Sequence, residues 1–326
     1  MSSTDTINEQ TAPSPGTSAL VQRLKNGFEP RRIIKKKHPG RLVAAVIIGV
    51  LAVSLLQTVF TSPGFGWPVV AEYLFSPRIL MGVWTTLWLT AAVMLIGVVV
   101  GLIVAVMERS PNPLLRGAAI LYVWVFRSVP TLVQLLLWFN LALLFPQIQI
   151  GIPFTDIVFW SASANDFMTP IVAALLGLAL SESAYMAEIV RSGLNSVDRG
   201  QHEAAWALGL GTRKTFMKVT LPQAIRTIIP PTGNQVIGML KYTSLASVIS
   251  VTELLFSAQQ ISAVNFQVIP LLLVASIWYL VLASVLQMIQ DRIEKRFSRG
   301  IADASKPRRS ASKTPKPAAT NKEASA

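Results

Sequence analysis

The chain has 326 residues, 52% hydrophobic and only 14% charged, against the quarter or so of charged residues that a water-facing surface carries. That excludes an ordinary soluble enzyme, and the absence of cysteine excludes disulfides and thiolate metal sites. The net charge of +13 would fit a nucleic-acid binder only if the cations lay within the folded part, and they avoid the apolar stretches.

A bilayer-crossing helix needs about 20 mostly apolar residues, because lipid cannot satisfy an unpaired backbone. Residues 42–60 are uncharged and predict a first span. It reads as an uncleaved anchor, since the run starts too late and is too long for a signal peptide. Residues 79–107 predict a second span, in which Gly97 and Gly101 form a small-xxx-small pair suited to close helix packing, within the chain or, as the alternative, at a subunit interface. Residues 117–145 are apolar apart from Arg127, and Pro130 follows it. They predict a surface approach up to Val129 and a third span over 131–145. An external loop, 146–168, holds Asp156 and Asp166 and no Lys or Arg. Residues 169–189 predict a fourth span carrying Glu182 and Glu188, and 233–256 a fifth carrying Lys241 and Glu253. The sixth, 268–289, has no charge.

Of the 29 Lys and Arg, 27 fall in alternate inter-span segments on one face. The positive-inside bias then gives an all-α integral membrane protein of about six spans with both termini cytoplasmic. Nucleic acid drops out as a partner. Residues 1–20 and 303–326 hold too few apolar groups to offset ordering entropy, which predicts disorder in both tails. The run Arg31, Arg32, Lys35, Lys36, Lys37 is suited to rest on anionic membrane lipid. The expected organisation is a basic tail (1–40), an extra helix and external loop (41–78), a core domain (79–290) and a second basic tail (291–326).

The segment between spans four and five, about 190–226, carries a mechanism. Asp198 can cap a helix, with Gln201 three residues on in near capping-box spacing. Glu203 is expected in the first turn, where the dipole favours an acid. Gly209 supplies a stop, Thr212 can cap a second helix to about Val219, and Leu221-Pro222 is expected to break the chain. A short, Ala-lined helix offers a narrow knob for a groove on another protein. A DNA-reading helix-turn-helix has a similar outline, but here it would hang between two spans.

This segment, Glu203-Ala204-Ala205, then Gly209, then Leu221-Pro222, resembles the EAA loop of ABC-importer permeases; only Val219 departs, standing where the family usually has Ile. Gly200-Gln201 before it, the Ala184–Arg191 stretch and Lys241-Tyr242-Thr243-Ser244 resemble the polar-amino-acid branch (His, Glu, Gln, Arg and opine importers). Phe126-Arg127-Ser128-Val129-Pro130 is similar to that branch's Phe-Arg-Gly-Thr-Pro. The resemblance covers residues 80–290. It implies a multi-pass permease of the bacterial inner membrane whose loop is a coupling helix docking on a cytosolic ABC ATPase. It implies as further partners an extracytoplasmic substrate-binding protein and a second permease copy or homologue. The chain has no Gly-rich phosphate loop of its own, so ATP is expected on the partner and no cofactor or catalytic role here.

A charge near the bilayer centre normally has a partner or a task. Counted from opposite faces, Glu182 and Lys241 fall at similar depth. Two readings stay open: an ion pair joining spans four and five, or a cavity-facing Glu182 that meets a cationic or α-amino group. Glu188 is expected to pair with Arg191 at the cytoplasmic end. Gln134, Thr243 and Ser244 are uncharged candidates for a polar pathway, though Thr and Ser as readily bond their own helix. The rival classes are an ion-coupled secondary transporter, which would use Glu182 but needs no coupling loop, and a membrane enzyme. The two distant histidines, His38 and His202, are poor material for the latter.

Overall fold

A computed structural model describes residues 39–152 and 157–297. The disorder expected of 1–20 and 303–326, the lipid contact of the Arg31 to Lys37 run, and Asp156 lie outside the described residues. Two units separate at Thr61. In the first, α1 (Pro39–Thr61) is 23 residues long, about 34 Å at the helical rise, and spans a bilayer core. Its side chains from Val43 to Thr58 are exposed, as lipid-facing groups are, and Thr58 and Thr61 bond back to the carbonyls of Ser54 and Gln57.

The second unit is helical apart from one hairpin. It comprises α2 (Trp67–Tyr73), α3 (Pro77–Glu108), α4 (Pro113–Ser128), α5 (Thr131–Phe139), α6 (Leu141–Leu144), α7 (Ala164–Phe167), α8 (Pro170–Asn195), α9 (Arg199–Ala207), α10 (Thr212–Thr215), α11 (Leu221–Tyr242), α12 (Leu254–Asn265) and α13 (Val268–Phe297). Among the described residues of the whole chain, four helices are long and apolar enough to cross a membrane, and two bent pairs bring the number to six. The six expected spans are reached if each bent pair counts as one, and those two differ in form from the straight helices expected.

The third is not a straight helix over 131–145. α4 and α5 meet at 102°, because Pro130 has no N–H for the helix ladder and Val129 before it is extended. The nine-residue α5 is too short to cross alone. The fifth is also broken. α11 begins at Leu221, well before residue 233, passes into a 3-10 segment (Thr243–Ile249), and ends at Ser250, whose φ of 63° is left-handed. The chain resumes as α12 at 43° to it.

Leu221-Pro222 does not break the chain either. Phe216–Thr220 form a π turn, so the hydrogen-bond frame shifts just where Pro222 offers no N–H, and the helix runs through. Thr212 is the first residue of α10 and Gly211 its cap position. The external loop holds an antiparallel hairpin, β1 (Gln147–Gly151) with β2 (Val158–Ser163).

α3 and α8 form the closest pair, and glycine makes it possible. A Cβ added at Gly101 would lie 2.6 Å from Met186 Cβ and 2.7 Å from the Ser183 carbonyl oxygen. Gly97 and Gly101 thus serve packing within the chain, as expected. Gly101→Ala should lower stability by about 1–3 kcal/mol, the range for overpacking a filled core. Gly49→Ala on α1, where an added Cβ meets nothing within 4 Å, should be near neutral. Thermal unfolding of the detergent-solubilised protein checks both, and equal melting temperatures would contradict the packing argument.

Candidate functional site

The loop helix α9 is built by its caps. Asp198 Oδ1 accepts from the Gly200 N–H at 2.6 Å, as its position predicts. At the other end Gly209 has φ 76°, and the Leu210 N–H reaches Ala205 O at 3.0 Å while the Gly209 N–H reaches Trp206 O at 2.9 Å. That double closure needs a left-handed residue, which costs an L side chain about 1–2 kcal/mol. Two local expectations are corrected. The helix starts at Arg199, so Glu203 lies past the first turn, beyond the reach of the dipole end. Gln201 does not complete a capping box; its Oε1 accepts from Gln223 Nε2 at 3.3 Å.

α9 is held to the π turn by His202 Nε2, 3.0 Å from Thr220 Oγ1. Within it only Ala205 is buried. Glu203, Ala204 and Ala207 are exposed, as are Trp206 at 58% and Leu208 at 81%. These apolar groups lie in the segment that the charge pattern assigns to the cytoplasm, and they leave an exposed apolar surface on the loop. Leu221 and Pro222 open α11 behind this surface.

Inside the bundle, Glu182 is 3% exposed, and its Oε1 has no hydrogen-bond partner. The ion pair with Lys241 is not there: among the described residues none of the ion pairs includes either group, and Lys241 is exposed. Equal depth does not give equal azimuth. Gln235, Met239 and Tyr242 of α11 line a cavity with Glu182, and Lys241 is turned about 100° from Tyr242 around the helix. The cavity, about 260 Å³, has Thr131, Ser181, Tyr185, Gln235 and Tyr242 as polar wall.

The other pathway candidates lie elsewhere. Gln134 Nε2 donates to Phe126 O at 2.9 Å and Val129 O at 2.7 Å, stapling the α4–α5 bend. Thr243 and Ser244 donate to Leu240 O and Lys241 O of their own helix.

Glu188 does meet Arg191, and the pair belongs to a larger cluster. Arg127 lies 3.6 Å from Glu188, and Arg191 3.6 Å from Glu108, which ties α3, α4 and α8 together. The Arg127 guanidinium also sits 5.5 Å over the Tyr185 ring of the cavity wall. Sequence reasoning missed Tyr185 and Gln235, although Tyr185 stands three residues after Glu182 on the same helical face. It also missed what Glu253 does. This fully buried carboxylate caps α12, accepting from the N–H groups of Leu255 (2.9 Å) and Phe256 (2.7 Å) and from the Tyr279 hydroxyl (2.7 Å).

Residues 97–299 match the family model described as binding-protein-dependent transport system inner membrane component. The chain is 44% identical over 275 residues to the arginine transport system permease protein ArgU of Corynebacterium glutamicum, covering 83% of this chain and 85% of that one. It is 32% identical to the glutamine transport system permease protein GlnP of Escherichia coli, over 71% of this chain and 94% of that one. Among solved structures, an amino acid ABC transporter crystallised with histidines is 33% identical, with a TM-score of 0.59, covering 69% of this chain and 97% of that one.

Proposed function

The chain belongs to the family of binding-protein-dependent transport system inner membrane components, and from that premise we propose that it is the permease of an importer for cationic amino acids. Membership sets aside the ion-coupled secondary transporter. It makes the chain the non-catalytic membrane subunit of an ABC-type amino-acid importer in the bacterial inner membrane, with ATP hydrolysis in a separate subunit.

The observation that carries the substrate class is the unpaired carboxylate of Glu182 in a polar-walled cavity. A buried acid without a cation is costly, and a guanidinium or ammonium group arriving with the substrate supplies one. The similarity to a permease named for arginine agrees with that chemistry. Thr131, Ser181 and Gln235 offer hydrogen bonds to the rest of the solute, and Tyr185 and Tyr242 offer ring faces to its stem.

At the cytoplasmic face α9 fits a groove on the ATPase, with Trp206 and Leu208 as apolar contacts and Glu203 beside them. Closure of two ATPase subunits then draws the loops of two paired permeases together and turns the cavity outward. An extracytoplasmic binding protein delivers the solute to it. Uptake by the reconstituted complex, measured with radiolabelled arginine against a tenfold excess of unlabelled competitors, tests the substrate class. Lysine and ornithine should compete and glutamate should not; competition by neutral amino acids alone would overturn it.

A further inference from the structure

A second cavity, larger than the one that holds Glu182, lies among the described residues. It measures about 820 Å³ and lies between α3, α8, α11 and α13, at the end of the bundle that carries the α9 loop. Its walls are apolar, with Leu102, Val106, Val190, Ile229 and Val236 among them, and Arg109 is the one charged residue in the lining. A volume of that size is in the range of ligand sites and too large to be a packing defect.

The position of Arg109 identifies the occupant. It is the residue just past the end of α3, with Ser110 beside it at the rim. Its Nη1 donates to Asn195 Oδ1 at 3.2 Å, which fixes the guanidinium. Glu108 and Glu188 are engaged with Arg191 and Arg127, and among the described residues no ion pair includes Arg109. From Arg109 the cavity runs up α3 to Val98, about 16 Å at the helical rise. That is half of a hydrocarbon core about 30 Å thick, the depth one leaflet's acyl chains fill.

We propose that this cavity is a site for an anionic phospholipid of the cytoplasmic leaflet, with an acyl chain between α3 and α11 and the headgroup phosphate on Arg109 and Ser110. Basic-rimmed clefts between transmembrane helices on the cytoplasmic side suit such headgroups. The chain's own basic segments do not: residues 291–326 hold 10 Lys and Arg and would bring like charge to Arg109. The reading is independent of the cargo and of Glu182.

Native mass spectrometry of the full chain in detergent tests it, with phosphatidylglycerol and phosphatidylcholine of identical acyl chains offered at equal concentration. The wild type should retain phosphatidylglycerol about fivefold over phosphatidylcholine, the effect of one cation near a headgroup. Arg109→Gln, at an exposed position, should bring the ratio to about one. Asn195→Ala, which leaves the charge, should keep the preference. Val236→Phe should cut the retention of both lipids by filling the groove. Equal retention by the wild type, an undiminished preference in Arg109→Gln, or undiminished binding in Val236→Phe would each overturn the proposal.

Discussion

Glu182→Gln should insert and assemble normally, yet take up cationic amino acids about 10- to 100-fold more slowly, the loss expected when a charged hydrogen bond becomes a neutral one. Normal assembly follows from the missing ion pair. Lys241 does not depend on Glu182, so removing the acid leaves no buried cation behind. Glutamine preserves the volume that Gly97 accommodates, where an added Cβ would come within 2.9 Å of Glu182 Cγ. Any neutral amino acid carried at a basal rate should be affected far less, because its side chain makes no charged contact. Uptake of radiolabelled arginine and glutamine by proteoliposomes measures both. An equal fall for the two solutes would mean that Glu182 shapes the cavity without reading charge.

Glu203→Lys should leave the permease inserted and the ATPase able to hydrolyse ATP, while uptake falls about 100-fold, equivalent to about 2.7 kcal/mol for reversing a charge at a docked surface. The side chain is exposed on α9 and takes part in no ion pair among the described residues, so its reversal should not disturb the fold. Its distance from the dipole end also means that little helix stability is at stake. The check is the ratio of solute imported to phosphate released in the reconstituted complex. A ratio unchanged from wild type would remove α9 as the coupling element.

Much of this protein is written in one dimension. Apolar runs of about 20 residues can only be buried in lipid or in a bundle, and clustered Lys and Arg can only stay in water. Those two facts yield six spans and their orientation without a single tertiary contact. The Asp198 cap and the Gly209 stop are equally local, because each satisfies backbone groups within a few residues of itself. The loop's residue spacing was therefore legible too.

What residues 131–145 and 233–256 become was not. Whether a proline bends a helix or is absorbed depends on where the freed backbone groups find partners. Gln134 gives the carbonyls near Pro130 a donor across the bend, while the π turn carries α11 through Pro222. Depth along a span could likewise be counted from sequence, but azimuth could not. A helix places successive side chains about 100° apart, so an error of one residue in register turns a partner into a stranger. Thus Lys241 and Glu182, counted to a similar depth, do not meet, and Gln235 and Tyr242 take the place beside the acid. Through hydrophobicity, charge sign and local capping, the sequence alone determined a multi-span membrane protein with a capped helix between two of its spans, and the residue spacing of that segment carried the resemblance to permeases. Only the tertiary structure decided which polar groups meet, since that depends on how α3, α8 and α11 are rotated when the glycines of α3 let them close.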